Sequence, residues 1–293
     1  MRCVAHRAEQ IYSAPRPTPL VILRQTTQHD QTLGILNPRE GFERFTLTRH
    51  APSPALSPFI DRYWIIRWDL RDAPPFKQET LPHPCCNMVI EPSLAAVHGV
   101  GLRRFVATLD GQGVVVSAKF HPGGLSALSH TPLTTLAGTH HPIQDVFSTS
   151  QEITDKLISD VRSAALDAEA IAHIETFLLS LDPVEDPQAT LATRLVNTAR
   201  TCREITTVEA LAEHAAMTTR TLQRLFARHV GVSPKWVIRR ARVQEAAERV
   251  KGGERIDWAA LALELGYFDQ PHLTRDFKAQ TGRTPAEYAA QCS

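Results

Sequence analysis

The 293-residue chain is predicted to be a two-domain α+β protein: a β-rich N-terminal domain with following helices, then an all-α C-terminal domain holding two helix-turn-helix units. Three observations carry this. Short apolar runs separated by turn residues fill Phe42 to Phe120. Helical periodicity takes over after Ile143 and holds almost to the end. In the last third a spaced pattern of Leu, Arg, Phe, Gly and Pro occurs twice.

Residues 1–40 contain Pro, Gln and Thr without sustained periodicity and read as a poorly ordered segment, with a short strand at Leu20 to Leu23. Residues 41–182 form the β-rich domain with its C-terminal helices. Its strands are expected on FTLTRH, RYWIIRW, CCNMVI, RRFVATL and GVVVSAKF, antiparallel to one another. Trp64 and Trp68, four apart in such a run, read as core or pocket wall. His121 to Gly124, HPGG, lacks the Lys-Ser/Thr of a phosphate-cradling loop and reads as a tight turn. Two amphipathic helices follow, one carrying Ile153, Leu157 and Val161, the other Ile171, Ile174, Leu178 and Leu181. Two prolines and three acids in SLDPVEDPQAT then break the helix, which places a linker at 183–189 and the next domain at 190–293.

Charge divides at the same place. Residues 1–187 hold 16 Lys and Arg against 20 Asp and Glu, a net of −4, whereas residues 188–293 hold 16 against 11, a net of +5. The C-terminal third therefore suits a polyanionic partner. The longest run without an acidic or basic residue, Phe120 to Gln144, is too rich in Pro, Gly and His to span a membrane, and the first 30 residues lack the apolar block of a secretory signal. Five cysteines show no disulfide framework. A cytoplasmic location is expected.

The repeat defines the C-terminal domain. Leu222, Arg224, Phe226, Gly231 and Pro234 recur as Leu273, Arg275, Phe277, Gly282 and Pro285 at an offset of 51, and Ala210 to Ala212 recur as Ala260 to Ala262 at an offset of 50. The one-residue slip falls in the turn between two helices. Each copy reads as helix, turn, helix, Gly stop and Pro restart. The first unit spans about 206–230 and the second about 256–281. A connecting helix from Ser233 to about Lys251, burying Val237, Ala241, Val243, Ala247 and Val250, can hold them apart by about one DNA turn, on the order of 34 Å.

On the helix from about Thr218 to His229, Leu222, Leu225, Phe226 and His229 form the inward stripe. Arg220, Thr221, Gln223, Arg224 and Arg228 are left outward. On the helix from about Asp269 to Gln280, Leu273 and Phe277 point in, leaving Gln270, His272, Thr274, Arg275 and Lys278 as outward candidates. Guanidinium and carboxamide groups can each make two hydrogen bonds to a purine edge, so these faces suit base reading in a major groove. A merely solvated face has no reason to recur in the same phase.

The stretches TTRTLQRLFARHVGVSPKWV and LALELGYFDQPHLTRDFKAQTGRTPAEY resemble the DNA-binding domain of the AraC/XylS family of transcriptional regulators. The resemblance implies a sequence-specific regulator in which Arg220, Gln223, Arg224, Gln270, His272 and Arg275 occupy base-reading positions; Pro271 departs from the small polar residue usual there. It implies double-stranded DNA as partner, with a small-molecule effector, a second protomer and RNA polymerase as further partners, and no membrane. LSPFIDRYWIIRWD, LPHPCCNMVIEP and KFHPGGLSALSHTPLTTLAG, between about Ala55 and Phe147, resemble a sensor half attached to some of these regulators, which implies a β-rich, cupin-like domain that binds an effector or a second protomer.

His83, Cys85, Cys86, His121, His140 and His141 invite a metal or thiol-sensor reading, but no pair has chelating spacing. Buried cysteines and hydrogen-bonded histidines are the favoured reading. No cofactor or metal is expected. The chain has no Gly-x-Ser-x-Gly, so an enzyme is not expected; a DNA-repair methyl acceptor using Cys85 or Cys86 is the remote alternative.

Overall fold

A computed structural model of the chain describes residues 34–36, 38–251 and 256–292. The strand expected at Leu20 to Leu23, and residues 1–33 of the segment expected to be poorly ordered, lie outside the described residues. Residues 34–36 and 38–40 of that segment correct the expectation. Ile35 pairs with Thr80, the Leu36 amide donates to the Glu79 carbonyl at 3.0 Å, and Leu36 is buried. A short helix α1, Pro38–Phe42, follows. Two adjacent apolar residues beside a strand were enough to pin this piece down.

The N-terminal half contains β1 (Phe45–His50), β2 (Ile60–Leu70), β3 (Phe76–Thr80), β4 (Asn87–Ile90), β5 (Ala95–His98), β6 (Phe105–Leu109), β7 (Gly111–Phe120) and β8 (His140–Pro142). Six of them make an antiparallel sheet in the order β1-β2-β7-β4-β5-β8, and β3 pairs with β6 in a separate ribbon. The register sets Tyr63 opposite Ala118 and Ile65 opposite Val116, so alternate residues of both long strands share one buried face. Helices α4 (Gln151–Ser163) and α5 (Asp167–Ser180) supply Leu157, Val161, Ile174 and Phe177 to the same core, after the short helices α2 (Leu133–Leu136) and α3 (Ile143–Phe147). Ile153 departs from the expected stripe. It is exposed, and Thr154 is buried instead, with its hydroxyl bonded back to the Ser150 carbonyl.

Seven helices follow: α6 (Pro187–Thr201), α7 (Val208–His214), α8 (Thr219–His229), α9 (Pro234–Lys251), α10 (Trp258–Glu264), α11 (Gln270–Thr281) and α12 (Pro285–Cys292). No helix of the described residues is long and apolar enough to cross a membrane. The irregular stretch before α6 does not separate two cores. One apolar cluster runs from Leu56 through the sheet to Leu222, Phe226 and Ile238, so the first helix-turn-helix unit and the sheet domain are packed as one body. The HPGG turn seats this contact. A Cβ on Gly123 would lie 2.2 Å from the Ala189 carbonyl oxygen of α6, so only glycine permits the approach, and the Gly123 amide donates to Thr193 Oγ1 at 3.0 Å.

His229, at the end of α8, is buried in the same contact. Its Nδ1 lies 2.9 Å from Ser126 Oγ and 3.9 Å from the Asp186 carboxylate. Burial pushes the imidazole below its ordinary value, Asp186 pulls against this and Arg228 adds to it. The folded state thus favours the neutral ring. Its contribution to stability is whole above the unfolded value of about 6.5 and declines as pH falls from there through the lowered folded value. His229→Asn is expected to flatten part of the acid limb of stability against pH in urea titrations. His98, lowered by burial and then by His140, shares the window and retains the remaining slope. An unchanged acid limb in the variant contradicts the assignment.

The two helix-turn-helix turns close alike. Met217 N donates to the Ala212 carbonyl at 3.0 Å, and Tyr267 N to the Ala262 carbonyl at 2.8 Å, each across a left-handed residue. That residue is Gly266 at φ 74° in the second turn but Ala216 at φ 51° in the first. Ala216→Gly should raise stability by about 0.5–1 kcal/mol, the relief of a left-handed L-residue less the entropy of a glycine. Gly266→Ala should lose at least about 1–2 kcal/mol, since its Cβ would also meet Thr206 Cβ at 2.9 Å. Urea midpoints moving the other way contradict the repeat geometry.

Candidate nucleic-acid interface

The second helix of each unit begins at a side-chain cap. Thr218 Oγ1 accepts from Thr221 N at 3.2 Å, and Asp269 Oδ1 accepts from His272 N at 2.7 Å. Pro271, in the first turn of α11, needs no partner for an amide hydrogen. Along α8, Leu222, Leu225, Phe226 and His229 are buried. Arg220, Thr221, Gln223, Arg224 and Arg228 are exposed on the other side. Along α11, Leu273 and Phe277 are fully buried, and Gln270, His272, Arg275 and Lys278 are exposed. Thr274 is only half-exposed, which sets it at the margin of the face. The His272 ring leans edge-on against Tyr267, centroids 5.1 Å apart.

None of Arg220, Arg224, Arg228, Arg275 and Lys278 is within ion-pair distance of a described carboxylate. Other cations of this half are committed to the fold. Arg239 grips Asp276, and Arg249 pairs with Glu245 and Glu264, the latter also approached by Arg203. Arg240 is buried, donates to the Leu102 carbonyl at 3.1 Å, and lies over the Trp236 ring at 4.7 Å. Burial pushes its guanidinium down to about 10. Among the described residues, five exposed cations of this half without an ion pair therefore lie on α8 and α11, while Arg194 and Lys235 are exposed elsewhere.

Asp276 was not singled out in the sequence. It is 3% exposed in the middle of α11 and accepts from Arg239 through two N–H groups, from Tyr267 Oη at 2.7 Å and from Gln280 Nε2 at 3.2 Å. Burial works against its charge, but the bonds from Arg239, Tyr267 and Gln280 outweigh it and hold the carboxyl below its usual range. The signal was in the repeat. At the offset of 51 the counterpart of Asp276 is Leu225, an inward position, and an inward Asp requires partners. Through Asp276 helix α11 is fastened to α9.

The second unit also meets the sheet domain. Glu79 of β3 bridges Arg104 and Arg283, Tyr288 Oη donates to the Leu36 carbonyl at 3.4 Å, and Leu36 and Leu81 join its apolar core.

Residues 48–142 match a domain family of unknown function, and residues 211–291 match the helix-turn-helix domain family to which AraC-type regulators belong. The C-terminal third is an AraC-type helix-turn-helix domain. An uncharacterized HTH-type transcriptional regulator of Haemophilus influenzae is 34% identical over 86 residues, a match that takes in 29% of this chain and 28% of the relative. Among solved structures, an AraC-type transcriptional regulator from Chromobacterium violaceum is 22% identical, with 36% of this chain and 93% of that one covered and a TM-score of 0.32. ToxT from Vibrio cholerae is 13% identical, with 85% and 98% covered and a TM-score of 0.36. At these scores neither structure carries its domain arrangement over to this chain.

The remaining candidates belong to the N-terminal half. Among the described residues no three His, Cys, Asp or Glu side chains are grouped as a metal site, so His83, Cys85, Cys86, His121, His140 and His141 are not brought together as a ligand set. Cys85 and Cys86 are buried, and burial pushes both thiols up, away from the reactive thiolate. Trp64 and Trp68 are half-buried; Trp68 lines an open groove with Phe42, Arg44, Phe45 and Gln112.

Asp276→Ala is expected to cost about 2–4 kcal/mol, because Arg239 and the Tyr267 hydroxyl lose their shared acceptor. Urea unfolding of the full chain checks this. A loss no larger than that of a surface substitution would place the anchor of α11 elsewhere.

Proposed function

We propose that the chain is a sequence-specific DNA-binding transcriptional regulator that reads two successive major-groove sites with one polypeptide. The observation that carries this is the pair of recurring exposed faces, Arg220, Gln223, Arg224 and Arg228 on α8, and Gln270, His272, Arg275 and Lys278 on α11, each backed by a buried stripe. Arg224 and Arg275, equivalent in the repeat, are assigned to base edges, where two guanidinium N–H groups match guanine O6 and N7. Thr221 and Thr274 and the outer cations make backbone contacts, and the helix N-termini add amides for phosphates. The 18 residues of α9 run about 27 Å, of the same order as the roughly 34 Å of one duplex turn.

The N-terminal half is assigned to a small-molecule effector or a second protomer. It packs on the first unit and is ion-paired to the second, so a ligand that favours one arrangement of the sheet domain shifts how both reading faces are presented. No catalytic step is assigned.

Arg224→Ala and Arg275→Ala should each lose about 1–3 kcal/mol on the cognate site and relax preference at one base position. Binding measured on cognate and random duplexes at fixed salt decides it: equal losses on both would remove the base-reading assignment and leave only phosphate contact.

A further inference from the structure

The two units differ in length by one residue, and the structure identifies it. Ala212 to Met217 and Ala262 to Tyr267 correspond at an offset of 50 through the same turn-closing bond, while the helix caps Thr218 and Asp269 correspond at 51. The extra residue is Phe268. It has no work in the fold. An apolar residue just before a helix cap ordinarily folds back onto the fourth helical position. Here that position is Leu273, which is fully buried without it, and Tyr267 fills the place that Met217 has in the first unit. Phe268 is 86% exposed, the most exposed large apolar side chain among the described residues. Single exposed apolar residues are common and need no explanation. An aromatic that is the one insertion between two copies, at the entry of a reading helix and beside Gln270 and His272, does.

We propose that Phe268 is a specificity-determining residue that contacts the 5-methyl group of a thymine in the second unit's half-site. This rests on the proposed groove reading by α11. Helix-turn-helix proteins bring the N-terminal end of the second helix nearest the base edges. The thymine methyl is the apolar feature on the major-groove floor, and a phenyl ring is suited to it. Burying that methyl removes from water two surfaces that are both exposed in the free molecules. The first unit, with Met217 half-buried and no inserted residue, lacks this contact and reads through polar groups alone.

The test uses the full-length chain and a duplex selected by it from random DNA, with each thymine of the second half-site replaced in turn by deoxyuridine. For the unsubstituted chain one replacement should weaken binding roughly four-fold, the worth of about one buried methyl. Phe268→Ala should weaken binding to the thymine duplex by at least as much and be indifferent to the same replacement, with an unchanged urea midpoint. The proposal falls if the variant keeps the sensitivity to uracil, if it weakens cognate and random duplexes alike, or if the selected half-site has no thymine. Arg275→Ala separates this from the groove reading. If Arg275→Ala relaxes sequence preference while Phe268→Ala changes nothing, only the Phe268 contact is lost; if neither variant alters preference, both are.

Discussion

Helix α9 is the constraint on which the C-terminal half depends, because one continuous rod completes two cores. Its first turns contribute Val237 and Ile238 to the cluster shared with the sheet domain, and its later turns contribute Val243, Ala246, Ala247 and Val250 to the core under the second unit. Its polar residues tie it to its neighbours too. Arg239 holds Asp276 of α11, and Glu245 and Arg249 join Arg203, in the loop after α6, and Glu264, in the second unit, in one ionic net. With no joint in the rod, the separation of the exposed faces of α8 and α11 is a property of the fold rather than of a linker.

The sheet domain is attached to the two units in different ways. To the first it is joined by close-packed apolar surface, with Gly123 admitting α6 and His229 sealed beneath Ser126. Its attachment to the second adds a polar seam, in which Glu79 stands between Arg104 and Arg283, and Arg240 reaches the carbonyls of the loop before β6. Partly exposed ion pairs are worth about 0–1 kcal/mol each, whereas each fully buried aliphatic or aromatic side chain is worth about 1.5–3 kcal/mol. The first unit is consequently the more firmly held of the two.

The repeat was legible in the sequence because it is written in residues whose geometry is compulsory: the glycines past each helix, at φ 86° for Gly231 and 81° for Gly282, and the inward Leu and Phe. The faces of α8 and α11 followed by subtraction. Strands β3, β5 and β8 were not legible. FKQET, AAVH and HHP are short and lack apolar alternation, and they are strands because a paired neighbour offers them hydrogen bonds. The pairing of Arg239 and the burial of Arg240 were hidden for the opposite reason: long cations ordinarily read as surface, and what engages these is a buried acid 37 residues away and a loop from the other half of the chain. The shared core was missed because a Pro- and acid-rich stretch signals a break in helix, which says nothing of whether the parts on either side pack together.

The most direct measurement is selection of binding sites from random duplex DNA by the full-length chain, followed by sequencing. The proposed reading by two rigidly mounted faces requires two conserved blocks at a constant separation, about 10–10.5 base pairs from centre to centre. A single block, or two blocks whose separation varies from site to site, would contradict the account, since α9 leaves no joint through which one face could move independently of the other.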